Sequence, residues 1–109
     1  MKKYIEVKRI GNWNDGEEAA YRAVFYSETV DRWETFEKVF HAPWDAPWYV
    51  VGYRALEVFN QLSDEDDIPV YRSTTGRKIY SRKWENRAEE WEWDWEERHW
   101  EAMRKRRYF

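Results

Sequence analysis

The chain contains no cysteine, which excludes disulfide staples and thiolate metal sites and leaves the redox compartment open. Glycine is confined to Gly11, Gly16, Gly52 and Gly76, too scattered to build a loop that cradles phosphate. No apolar run approaches the roughly 18 residues of a membrane span, and the Met1-Lys2-Lys3 start lacks a signal-peptide core. A cytoplasmic protein with no membrane contact is therefore expected. His41 and His99 are the only histidines and stand in no metal-binding spacing. Glu92, Glu96 and His99 share neighbouring turns, but acidic helices produce such triplets by chance, so neither a metal nor another cofactor is expected. The hydroxyls of Ser73, Thr74 and Thr75 have no histidine near them in sequence and read as a turn. Without a catalytic motif, the chain reads as a non-enzyme.

Aliphatic residues are also scarce. Leucine appears only at Leu56 and Leu62, against nine tryptophans. Leu, Ile, Val and Phe together make up 19 of 109 residues, below the share of about 20% at which disorder becomes a concern. Nine Trp and eight Tyr remove that concern, because each aromatic ring can bury about 150–250 Å². Residues 1–109 are expected to form one domain around an aromatic core. Charged residues reach 38% of the chain with only five amides, a bias seen in thermophilic proteins and in short viral ones. The net charge of -3 argues against a general nucleic-acid binder, which would be basic. Acidic residues dominate Ser63 to Asp67 and Glu85 to Glu101, whereas Arg104, Lys105, Arg106 and Arg107 close the chain.

Alternation predicts strands over Lys3–Ile10, Ala19–Tyr26 and Arg32–Phe40, joined by a turn at Gly11 to Gly16 and another at Ser27 to Asp31. Such short connections favour an antiparallel three-stranded meander. The period then changes. Asp45 is a good N-cap, Pro47 suits a first helical turn, and Trp48, Val51, Gly52, Ala55, Phe59 and Leu62 form one stripe. This predicts a helix over Pro47–Leu62, with Gly52 and Ala55 small enough for close approach to the strands. After a solvated acidic loop, Ile68–Arg72 and Arg77–Arg82 read as a further strand or hairpin turned at Thr75-Gly76. The expected class is α+β, ordered β-β-β-α-β-β-α.

The last element, predicted over residues 82–106, is a long helix whose acidic front and basic last turn match the helix dipole. Asp94–Arg98 and Glu101–Lys105 are expected as i,i+4 pairs. On a helical wheel Trp84, Ala88, Trp91, Trp95 and Ala102 share one face, while Trp93 and Trp100 lie on the far side among Glu89, Glu96, Glu97 and Arg104. The first group reads as a core stripe. The second reads as a contact surface, since paired aromatics rimmed by charge have the form of an interface hot spot. Trp93, Trp100, Glu89, Glu96 and Glu97 are the expected partner-binding residues. A protein partner is expected, with a homodimer as the simplest case. Carboxylates along the helix and in the loop Asp64 to Asp67 can also imitate a phosphate backbone. The basic end, Arg104 to Arg107 followed by Tyr108 and Phe109, offers the alternative of gripping nucleic acid.

The order of three strands, a helix and another strand resembles the opening of the ribonuclease H-like fold over about Tyr4 to Ser73, with Arg54-Ala55-Leu56-Glu57-Val58-Phe59 followed by Ile68-Pro69-Val70-Tyr71-Arg72-Ser73 resembling that family's helix feeding a buried strand. The resemblance is one of topology and patterning. It implies carboxylates on the first strand, the helix and the fourth strand, holding two metal ions for phosphodiester hydrolysis. Here the first strand offers Glu6, Trp48 stands near the helix position for glutamate, and the fourth strand ends in Arg72-Ser73. The resemblance thus implies a nucleic-acid-binding or vestigial nuclease module, a scaffold without its chemistry. The leading expectation is a non-enzymatic interaction protein acting through its acidic, tryptophan-rich helix. Its size and composition suit a small phage or archaeal-virus inhibitor of host machinery, anti-CRISPR-like in character and acting in the host cytoplasm.

Overall fold

The computed structural model describes residues 2–62 and 67–107, with 103–107 described by their backbone alone. Most of the expected acidic loop, Ser63 to Asp66, lies outside the described residues, as do Tyr108, Phe109 and the side chains of Arg104 to Arg107. The elements are β1 (Lys3–Trp13), β2 (Glu18–Glu28), β3 (Trp33–Pro43), α1 (Trp48–Val58), β4 (Val70–Arg72), β5 (Lys78–Tyr80), a 3-10 turn at Arg82–Trp84, and α2 (Glu85–Arg107). This is the α+β order that the hydrophobic periods predict.

The first hairpin is longer than its alternation suggests. Only Asn14, Asp15 and Gly16 take left-handed backbone conformations, with φ of 53°, 55° and 86°, which these residue types tolerate best. The turn is thereby confined to residues 14–17, and Gly11, Asn12 and Trp13 remain in β1, past a register shift between Arg9 and Gly11. β2 pairs with β3 at every position from Glu28↔Trp33 to Glu18↔Pro43, without a bulge.

The sheet order is β3-β2-β1-β4-β5. β2 runs antiparallel to both of its neighbours, β1 and β3, whereas β4 lies parallel to β1 with Ile5 opposite Val70. A parallel neighbour needs a crossover, and α1 supplies it. The Ile5 amide donates to Pro69 O at 3.0 Å and the Ser73 amide to Val7 O at 2.9 Å, bracketing the parallel pairing. β5 returns antiparallel to β4.

Alternation gives the sheet two unlike faces. Ile5, Val7, Tyr21, Ala23, Phe25, Phe40, Ala42 and Val70 are buried, together with Val51, Ala55 and Leu56 of α1. No described helix covers the opposite face; there Tyr4 stacks on Tyr26 (4.6 Å), Trp33 and Tyr71 meet Tyr4 edge-on, and Trp13 stacks on His41 at 4.5 Å.

α1 differs from its expected bounds at both ends. Pro47, not Asp45, occupies the N-cap, with no side-chain cap bond; its carbonyl accepts from the amides of Val50 and Val51 at 3.0 and 3.2 Å. Asp45 lies too early to reach the open amides and is exposed. At the other end Asn60 takes φ 57°. The Gln61 amide bonds to Leu56 O at 3.0 Å and the Asn60 amide to Glu57 O at 2.9 Å, a Schellman arrangement that ends the helix before Leu62.

Gly52 behaves as its size suggests. A Cβ there would collide with the Tyr80 Cβ and come within 3.3 Å of the Tyr80 ring carbon. Tyr80 is 2% exposed and cannot yield without moving β5. Gly52→Ala is therefore expected to lower unfolding stability by about 1–3 kcal/mol through overpacking, read from urea denaturation midpoints. An unchanged midpoint would refute the close helix–strand approach.

Candidate functional site

α2 is held to the body through its first half. Ala88 is fully buried, and Trp84, just before the helix, packs against the core and meets Tyr49 edge-on at 6.3 Å. Arg87 lies over the Tyr49 ring at 4.9 Å. The main attachment comes from Arg54 on α1. Its Nε and Nη2 donate to the two carboxylate oxygens of Glu92 at 2.7 and 2.8 Å, and its Nη1 donates to His41 O at 3.1 Å. The same guanidinium lies 5.6 Å from the Trp95 ring, which stacks on His99 at 4.9 Å. Glu92 is thus committed to Arg54 and His99 to Trp95, and the candidate ligand triplet with Glu96 is not brought together.

The expected core stripe is buried only in part. Ala88 is enclosed and Trp84, Trp91 and Trp95 are half-buried, but Ala102 is exposed, as is every residue from Glu96 to Ala102. The helix has run past the body by then. Arg98 also departs from expectation: its Nε donates to the backbone carbonyl of Asp94 at 3.4 Å, not to the Asp94 carboxylate.

Trp93 and Trp100 are 66% and 59% exposed. Seven residues apart, they stand on one side of the helix about 10 Å apart along its axis. An open groove of about 750 Å³ runs between them, lined by Trp93, Asp94, Glu96, Glu97, Trp100 and Glu101. Of the expected partner-binding residues, Trp93, Trp100, Glu96 and Glu97 come together here. Glu89 does not. It is half-buried and close enough to Tyr53 and Tyr80 to influence both phenols. Asp94 and Glu101 complete the groove, and the helical period places both beside the tryptophans. A second cleft, of about 290 Å³, lies where the helix passes the end of the sheet, lined by Glu17, Pro43, Trp44, Asp45, Trp95, Arg98 and His99. Trp44 is 64% exposed there, and no helical period marks it in the sequence.

The carboxylates on the inner side of α2 leave a mark on the phenols beneath. Burial, then Glu89, Glu57, Glu85 and Glu92, push the Tyr53 phenol up to about 12 from its ordinary 10.0. Burial and Glu85 raise Tyr80 as well. Among the described residues no cluster of His, Asp or Glu is arranged to hold a metal ion, and no helix is long and apolar enough to cross a membrane. No family model matches the chain, and no curated protein or solved structure matches it significantly.

Two outcomes follow from this attachment. Arg54→Leu removes three charge-assisted hydrogen bonds and leaves Glu92 unpaired, which should lower stability by about 2 kcal/mol. Hydrogen exchange should speed up in α2 before the sheet; uniform exchange would show that Arg54 does not set the docking. The second outcome concerns alkaline pH. The unfolded chain releases the Tyr53 proton near 10.0, while the folded chain holds it until about 12. This contribution is whole below pH 10.0 and is lost as pH climbs toward about 12. Tyr53→Phe should flatten the fall in stability over that interval, measured by denaturation at a series of pH values; an equally steep fall would assign it to other groups.

Proposed function

We propose that this protein is a non-enzymatic interaction module that grips a protein partner through the outer half of α2. The observation that carries the reading is the pair Trp93 and Trp100, 66% and 59% exposed across one groove bordered by four carboxylates. Exposed indoles lose contact with water on binding and contribute more per residue than most side chains, and a charged rim sets orientation and partner choice. The complementary partner surface presents apolar groups to seat the two rings, with Lys or Arg around them. In biological terms this suits a small viral inhibitor that occupies a basic working surface of host machinery, in the manner of an anti-CRISPR protein. Acting by occupation alone, such a protein needs no catalytic group.

The parallel β1–β4 pairing through α1 supports a second reading, a nucleic-acid-binding module on a ribonuclease H-like scaffold, with Arg104 to Arg107 as its phosphate contacts. The two readings separate in one experiment. In the first, Trp93→Ala with Trp100→Ala changes melting little, since surface substitutions stay within about 0.5 kcal/mol, yet abolishes capture of a protein partner from host lysate. Binding to DNA or RNA at low salt that survives both substitutions and disappears on deletion of the last six residues would favour the second. A double variant that fails to fold would assign both tryptophans to the core and sink the first.

A further inference from the structure

β3 is an edge strand along its whole length, because the sheet order ends on it. Long uncovered edges present unpaired amides and carbonyls and are ordinarily blunted by bulges, proline or inward charge. β3 carries no bulge, its proline, Pro43, is its last residue, and its inward charges, Glu34 and Lys38, are of opposite sign and so can pair with those of a second edge. It also exposes three large apolar residues, Trp33 at 47%, Phe36 at 49% and Val39 at 54%. Two hydrogen bonds fix which backbone groups point outward. The Glu28 amide donates toward β1, to Lys2 O at 2.9 Å, and the Trp44 amide donates to Glu17 O at 3.1 Å. Since backbone groups alternate sides along a strand, the odd-numbered residues of β2 face β3, and Glu34, Phe36, Lys38 and Phe40 face back. Trp33, Thr35, Glu37 and Val39 direct their N–H and C=O groups away from the sheet. At His41 the carbonyl is occupied by Arg54, so the free edge runs from Trp33 to Val39.

We infer that this edge pairs with the same edge of a second copy, antiparallel and centred on Phe36. Outward groups must meet outward groups, so only registers that oppose odd to odd residues are available. Centred on Phe36, the pairing sets Phe36 against Phe36, Lys38 against Glu34, Val39 against Trp33 and Glu37 against Thr35, and it uses only the free stretch. All three exposed apolar residues then find apolar partners, and each Lys38 finds a carboxylate. Centring on Glu34 or Glu37 sets that carboxylate against itself. Centring on Thr35 sets Lys38 against Arg32 and Phe36 against Glu34, and centring on Lys38 sets that lysine against itself. Like charges directly opposite are unfavourable across strands, so the sequence selects a single register. Lys38 Nζ already donates to Val58 O at 3.2 Å and Glu34 lies 3.7 Å from Arg32, but an ammonium keeps further donors and a carboxylate further lone pairs. The two-fold axis stands normal to the sheet, joining two five-stranded sheets into one with both helical layers on the same side. This pairing is independent of the Trp93–Trp100 groove.

The test uses the full chain. Light scattering is expected to show a concentration-dependent monomer–dimer equilibrium, with a dimer of twice the 13.7 kDa chain mass. Lys38→Glu and Glu34→Lys singly should each weaken dimerisation about tenfold, and the two together should restore it. Thr35→Pro removes only an outward amide, so it should abolish the dimer while leaving the β2–β3 ladder and monomer melting intact. Because the native chain has no thiol, Phe36→Cys should form an intermolecular disulfide on mild oxidation, and Glu34→Cys or Lys38→Cys should not. A strict monomer at every concentration overturns the proposal. So does a dimer indifferent to the charge reversals, to Thr35→Pro and to the position of the thiol, and so does one lost only with Trp93→Ala and Trp100→Ala.

Discussion

Arg54 is where the sheet, the first helix and the last helix meet. Its guanidinium spans Glu92 of α2 and the His41 carbonyl of β3, and its plane lies near the Trp95 ring. At 19% and 23% exposure, the two charged side chains have given up much of their hydration, and only close bidentate geometry offsets that loss. The fork of an arginine reaches both carboxylate oxygens and still keeps a donor for the backbone, which a lysine ammonium could not do with the same directionality. One side chain therefore ties α2 to both α1 and β3.

Much of this was legible from local pattern. Asn14-Asp15-Gly16 announces its own turn, the stripe through Val51, Gly52 and Ala55 announces a helix pressed on strands, and the helical period alone separates Trp93 and Trp100 from Trp84, Trp91 and Trp95. Long-range pairing was not legible. Arg54 and Glu92, 38 residues apart, look in sequence like two solvated charges among many. Glu89 shares an angular sector with Trp93 on a bare wheel, and only the position of α1 draws it toward Tyr53. The edge status of β3 depends on strand order, which alternation within a strand does not encode. Asp45 is a good cap by type, but the chain places Pro47 at the cap, two residues further on.

The shortage of leucine also finds its physical answer. Rings fill the core where aliphatic chains would ordinarily pack: Tyr21 stacks on Phe40 at 5.4 Å, Phe25 meets Phe59 at 5.5 Å, and Tyr80 is almost wholly enclosed. Tyrosine in such places carries a hydroxyl that resists ionisation as it is buried. This ties the stability of the core to alkaline pH in a way that an aliphatic core would not share. The same preference for rings leaves the open sheet face aromatic, so that Tyr4, Tyr26, Trp33 and Tyr71 form a connected cluster on the side away from the helices.

The outer half of α2 makes almost no demand on folding. From Glu96 to Ala102 every residue is exposed, and the residues that secure the helix precede that stretch, apart from His99, which stacks on Trp95. Replacements there are close to neutral for the fold as long as they keep helical propensity. On the proposed reading, recognition can therefore drift in sequence without any compensating change in the core, and selection on what the helix meets is separated from selection on whether the chain folds.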